Sequence, residues 1–333
     1  MRHVAALAGV SLRTVSRVIN NDPTVAAVLR DQVRGAVEQL HYRPNLTASH
    51  FRRRDGRSFT LGLLLHDIAN PFLATVQRTV QEVARAHGYD VLAASGTDDP
   101  DREREIVERL VARRVEGLIM MPAGDDHSYL QAEQMSGMSI VFLDRPPAFL
   151  AADSVVADNR KGVAKGVRHL LDRGHGRVAY LGYRKSTWTN EQRYLGYRDA
   201  LRRRGIAVDP VLVRQDLGDA GSAEQATLDL MTGQRPPTAL FTAKGSITIG
   251  AVRALRSLQR NRATALVGFD DFDTADLLEP GVTVVAMDPI AVGRLATDIL
   301  FRRREGDRSP IREHVLRPRL VQRGSGEIPV VTR

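Results

Sequence analysis

The stretch AALAGVSLRTVSRVIN, residues 5–20, decides how the chain begins to fold. Val4 to Ala8 is short, apolar and helix-compatible, and Gly9 follows where a left-handed residue ends a helix. Ser11 can cap a second helix through its hydroxyl. That helix runs from Leu12 to about Asn20, with Val15, Val18 and Ile19 on one apolar face. Arg13 and Arg17 are four apart and share another face. A third helix is predicted over about 26–40, buried along Val33, Val37 and Leu40. Two short helices joined by a turn containing Gly make a helix-turn-helix. Its second helix presents Leu12, Arg13 and Arg17 outward. Arg can bond both acceptors of guanine in the major groove, and Leu can meet a thymine methyl. The competing reading is a solvated Arg face on an ordinary helical hairpin.

Charge follows the same division. The chain has 333 residues and a formal net charge of +9. Ten Arg and only four acids (Asp22, Asp31, Glu38, Asp55) fall in residues 1–58, so the positive excess is concentrated there. That suits a small nucleic-acid-binding module on a nearly neutral body. The absence of cysteine excludes disulfides, thiolate nucleophiles and cysteine–zinc sites. No apolar run approaches the roughly 18–20 residues of a membrane span, and no export signal is evident, so a cytoplasmic protein is expected.

From Phe59 onward, apolar strands alternate with amphipathic helices. Strand candidates include 59–66, 90–95, 117–121, 139–143, 177–182, 238–242, 265–269 and 282–286. Short β-rich runs alternating with helices imply parallel sheets covered on both faces, here in two lobes. Ala157-Asp158-Asn159 and Asp288-Pro289 are candidate crossings between them. Ligands in open α/β sheets sit at the carboxyl ends of strands. The polar residues there are Asp67, Asn70, Asp144, Thr189, Arg193, Lys244 and Asp270.

The string over residues 5–20 closely resembles the DNA-reading motif of the lactose-repressor (LacI/GalR) family of bacterial regulators. HYRPN (41–45) and the stretch after it resemble that family's hinge. LDRP (143–146), VVADNRKG (155–162), HLLDRGHGRVAYLG (169–182), RYLGYRDAL (193–201), PPTALFTA (236–243) and VGFDDFDTADLLEPGVTVV (267–285) resemble its periplasmic-binding-protein-like core. The resemblance implies an all-α helix-turn-helix domain at 1–43, a hinge at 44–58 and a two-lobed α/β effector-binding core at 59–333. Lobe 1 would comprise about 59–157 and 288–318, and lobe 2 about 158–287 and 319–333.

It also implies roles. Ser11, Leu12, Arg13, Thr14, Ser16, Arg17, Asn20 and Tyr42 would contact DNA. Asn45 and Ala48 would lie against the backbone and groove, with Phe51 as an apolar wedge between base pairs. The family's capping Ser/Thr before the third helix aligns with Ala26, and Thr24 is expected to substitute. The effector contacts map onto Asp144, Thr189, Arg193, Lys244 and Asp270. Phe72 would supply an aromatic wall, and Trp188, the only tryptophan, would flank the site. Lys244 and Met287 stand where the family usually has Asn and Gln. An ammonium in a cleft needs a negative partner. Asp270 and an acidic effector are the two candidates.

Three function classes remain. The first is a ligand-responsive transcription regulator, a repressor, that binds a palindromic double-stranded operator as a homodimer. The second is a small-molecule sensor with an inactive DNA module, and the third an α/β enzyme acting on a sugar. No Walker loop, nucleophile elbow, GxGxxG, metal-ligand spacing or cofactor fingerprint is present, so no cofactor and no catalytic residue is expected.

Overall fold

A computed structural model describes residues 1–19, 22–42, 57–67, 70–96 and 98–330. The chain divides into two compact units, Met1–Ser58 and Phe59–Arg333.

The first unit holds three helices, α1 (Arg2–Ala8), α2 (Leu12–Ile19) and α3 (Ala27–Gln39). Gly9 ends α1 with φ 63°, and the Val10 N–H donates to Ala5 O at 3.0 Å. A side chain would be strained in that conformation. Ser11 Oγ then accepts the Thr14 N–H at 3.1 Å, capping α2. Val4, Ala5, Val15, Val18, Val25, Val33 and Ala36 form one small buried core. On α3 the inward positions are Val33 and Ala36, with Val37 packed at the edge. Leu40, expected in that stripe, is 41% exposed because the helix ends at Gln39 and Leu40 becomes its cap.

The second unit contains two six-stranded sheets. One uses β1 (Thr60–Leu65), β2 (Asp90–Ser95), β3 (Gly117–Met120), β4 (Ser139–Leu143), β5 (Asp153–Ala157) and β11 (Glu313–Leu316). Its order is β11-β5-β4-β3-β1-β2, all parallel. The other uses β6 (Val178–Leu181), β7 (Val213–Arg214), β8 (Ala239–Thr242), β9 (Ala265–Phe269), β10 (Thr283–Ala286) and β12 (Arg319–Val321). Its order, β12-β10-β9-β8-β6-β7, repeats the first, with only β12 antiparallel. The chain passes between the sheets after β5, after β10 and after β11.

The inner strands of both sheets are buried on both faces. Leu61, Leu63 and Leu65 of β1 pack against α4 (Pro71–Ala86). Leu64 faces α5 (Pro100–Ala112) on the other side. Helix starts are encoded locally. Asn70, Asp99 and Asp288 cap α4, α5 and α11 (Pro289–Arg304), each followed by Pro at the first helical position. The short α6 (Gln131–Met135) completes the first lobe. In the second, α7 (Asn159–Leu171) packs on α8 (Trp188–Arg203), and α9 (Ala220–Thr232) on α10 (Gly245–Ser257). Among the described residues no helix is long and apolar enough to cross a membrane.

Candidate functional site

On the helical unit, α2 carries the residues expected to read DNA. Leu12 is 47% exposed, and Arg13 is exposed beside it with no bonded partner among the described residues. Thr14 and Ser11 are joined through their hydroxyls at 2.9 Å, so both take part in the cap. Ser16 is half-buried, and Tyr42 packs at the edge of the module core. Arg17 is not free. Its Nε donates to Asp22 Oδ2 at 2.8 Å, and its Nη2 donates to the Thr24 hydroxyl. That hydroxyl donates in turn to Asp22 Oδ1 at 2.6 Å. The Arg17 bond, aided by Thr24, holds the Asp22 carboxyl well below the usual carboxylate range. Thr24 was expected to cap α3 and does not. It is drawn into the ion pair, and Ala26 stands at the N-cap with no side-chain bond. Asn20, Asn45, Ala48 and Phe51 lie outside the described residues.

In the two-sheet unit, the strand ends converge on one cavity with about 450 Å³ of empty space, part of it open to solvent. Phe72, Leu73 and Val76 of α4 line one wall with Met121, Val156, Met287 and Val292. Asp144, Arg193 and Asp270 supply its polar groups. The two aspartates occupy equivalent positions. Asp144 follows β4 and Asp270 follows β9, each the third strand of its sheet. Each adopts a left-handed conformation (φ 67° and 73°) and donates its N–H to the neighbouring strand, Asp144 to Val155 O and Asp270 to Val285 O, both at 3.0 Å. Asp tolerates that region better than most residues. The bend turns each carboxylate out of its sheet and into the space between the lobes.

Arg193 is 5% exposed and tightly held. Its Nε donates to Asn159 Oδ1 at 2.7 Å and its Nη1 to Ala243 O at 2.6 Å, with Asp270 Oδ2 at 3.5 Å. The guanidinium lies 3.7 Å from the Phe269 ring centroid. Burial pushes the Asp270 carboxyl above its ordinary range. Arg193 pulls it back, while the Asp144 charge adds to the rise. Burial also pushes the Tyr183 hydroxyl up to about 12.

Not every expected contact lines the cavity. Thr189 bonds the Tyr183 hydroxyl through its Oγ1 at 2.5 Å, and Lys244 Nζ sits 5.7 Å from the Tyr183 ring centroid. Tyr183 thus connects both to Arg193, whose guanidinium is 5.8 Å from the same ring. Lys244 forms no ion pair among the described residues, so Asp270 is not its bonded partner here. Ser246, two residues further on, has a buried hydroxyl without a hydrogen bond. Trp188, half-buried, heads α8 one residue before Thr189. Asn70 does not line the cavity, because its side chain is taken up in capping Phe72 N. Asp67 is exposed outside it.

Sequence reading passed over Tyr183, two residues beyond the end of β6, and Asn159, which opens α7 and orients Arg193. It also passed over a network at the rim. There Arg145 Nη2 donates to Asp98 at 2.7 Å, His66 Nδ1 is 3.2 Å from Asp98, and Arg184 reaches Asp98 O from the other lobe. Position immediately after a strand would have found His66, and one residue further on, Tyr183. An apolar wall facing two carboxylates and a fixed guanidinium suits a ligand with an apolar face and several hydroxyls.

Comparison with known proteins agrees with both units. Residues 1–45 match the family model of bacterial regulatory proteins of the lacI family, and residues 167–326 match that of the periplasmic binding protein-like domain. The chain is 32% identical to the HTH-type transcriptional regulator GalR of Escherichia coli (strain K12), over 99% of this chain and 96% of that protein. It is 28% identical to the ribose operon repressor of Haemophilus influenzae, over 98% of each. The crystal structure of the lac repressor dimer bound to operator and the anti-inducer ONPF superposes with a TM-score of 0.84 at 26% identity, covering 97% of each chain.

Proposed function

Because the chain belongs to the LacI family of bacterial regulatory proteins, we propose that it is a cytoplasmic, sequence-specific DNA-binding transcriptional repressor controlled by a small molecule. One helix-turn-helix reads one half-site, so two copies related by a two-fold axis match a palindromic operator. The observation that carries the reading is the pairing, in one chain, of an exposed Leu12–Arg13 face on α2 with a cleft where Asp144, Arg193 and Asp270 meet an apolar wall.

The cleft is a sensor rather than a catalytic centre. Arg193 is spent on Asn159, Ala243 and Asp270, which fixes it for binding. The effector is a sugar or sugar derivative. Its hydroxyls bridge Asp144, Arg193 and Asp270, its apolar face meets Phe72, and an acidic group reaches Lys244. Occupancy changes the lobe–lobe angle and shifts the population of DNA-competent dimers.

A thermal-shift panel of neutral sugars, sugar acids and sugar phosphates tests this. A ligand at 100 times its dissociation constant adds about 2.7 kcal/mol of stability. Selective stabilisation by an acidic sugar, lost in Lys244→Asn, is expected. A neutral-sugar response indifferent to Lys244→Asn removes the acidic group from the account and leaves the polyol site. Turnover of the bound sugar would instead make the protein an enzyme.

A further inference from the structure

The ion pair on the DNA-reading helix does more than brace a turn. Arg17 Nε and Nη2 are the two donors along one edge of the guanidinium, and both are taken, by Asp22 and Thr24. Asp22 accepts two further bonds from one neighbour: the Thr24 N–H at 2.9 Å and its hydroxyl at 2.6 Å hold Oδ1, while Oδ2 holds Arg17. Asp22 is anchored at the backbone too, its N–H donating to Arg17 O at 2.9 Å. The pair is only half covered, with 42% of the Arg17 side chain and 31% of the Asp22 side chain exposed. An exchange with an outside partner is therefore sterically open.

We propose that Asp22 is a specificity-determining residue, which withholds Arg17 from the phosphate backbone and releases it to a guanine edge. The proposal rests on the DNA-binding reading above. Guanine presents O6 and N7 together in the major groove, so a bidentate contact replaces both bonds that Arg17 gives up. A backbone phosphate can accept both donors as well, but that contact leaves the freed Asp22 carboxylate facing the anionic backbone. The carboxylate thus opposes non-specific binding more than specific binding, and widens the ratio on which a regulator depends. Arg13, with no such partner among the described residues, carries no equivalent restraint.

The test uses the full-length protein, a mixed-sequence duplex, and an operator selected from randomised duplexes. Asp22→Asn keeps the side-chain shape and removes the charge. At 50 mM salt it is expected to bind the mixed duplex about threefold tighter or more, and the operator with a smaller gain. One added phosphate contact steepens the log–log salt slope by about 0.9, so the gain shrinks about 3.5-fold between 50 and 200 mM salt. Glu38→Gln on α3 measures the general effect of losing one negative charge on this module. Arg17→Ala combined with Asp22→Asn is expected to gain over Arg17→Ala alone no more than Glu38→Gln gains over wild type. Thr24→Val, which removes the bridging hydroxyl without touching the charge, should move affinity the same way by less.

Equal gains on both duplexes, a gain matched by Glu38→Gln, or a gain over Arg17→Ala that exceeds the Glu38→Gln effect would overturn the proposal. So would weaker operator binding by Asp22→Asn with the mixed duplex unchanged, because Asp22 would then be orienting Arg17 for DNA. Wild-type protein that binds neither duplex refutes the DNA-binding reading itself.

Discussion

Replacing Arg193 with Met should destabilise the two-lobed core by about 3 kcal/mol, and the structure sets that figure. The side chain is 5% exposed and satisfies Asn159 Oδ1 and Ala243 O directly, with Asp270 at 3.5 Å. Breaking a buried ion pair by removing one partner costs about 3–5 kcal/mol. Two considerations favour the low end. A quarter of the Asp270 side chain remains exposed, and burial already raises its carboxyl above the ordinary range. Met also retains apolar contact with Phe269. The assay is thermal and urea unfolding of wild type, Arg193→Met, Asp270→Asn and the double variant. A loss of that size lowers the midpoint by roughly 6–12 °C in a domain of this class. With no charge left to strand, the double variant should be more stable than the two single losses predict, by about 1 kcal/mol or more. An Arg193→Met loss below about 1 kcal/mol, or strict additivity, would refute the claim that these residues form one buried electrostatic unit.

Asp270 also gives a pH signature. Its folded-state pKa is raised, so the folded protein binds more protons than the unfolded chain across that titration, and stability falls as pH rises through it. Melting temperatures from about pH 4 to 7 should show Asp270→Asn losing this part of the decline. Gly250→Ala on α10 should cost about 1–3 kcal/mol, because the added Cβ would sit 2.2 Å from Ala220 O of α9; unfolding midpoints check it. Arg13→Ala should relax preference at one base pair of a selected operator by about 1–3 kcal/mol, and an unchanged ranking of operator variants would contradict its role.

The helix-turn-helix was legible because its cues are local. Gly9 sets the turn, Ser11 caps α2, and Val15 and Val18 bury. The strands with continuous apolar runs were equally plain. Those that escaped are polar, short or at an edge. β5 opens with Asp153 and Ser154, which look like loop residues until Arg303 Nε and the Arg312 N–H are seen bonding Asp153. β7 has two residues, and β11 and β12 are partly exposed edge strands rich in charge. In the cleft, position after a strand identified Asp144 and Asp270, but not their shared left-handed bend. Asn159 was missed because its work is to hold Arg193 across 34 residues of sequence. Arg17 was read as free for DNA because nothing in helical spacing reveals that Asp22, beyond the end of α2, folds back to it.

The central claim is that α2 reads a specific duplex on behalf of a dimer. Selection from randomised duplex DNA by the purified full-length protein, at near-physiological salt, tests it most directly. The account predicts enrichment of a two-fold symmetric site that Arg13→Ala degrades at one position in each half. Recovery of unenriched sequence, bound only through a steep salt dependence, would contradict it.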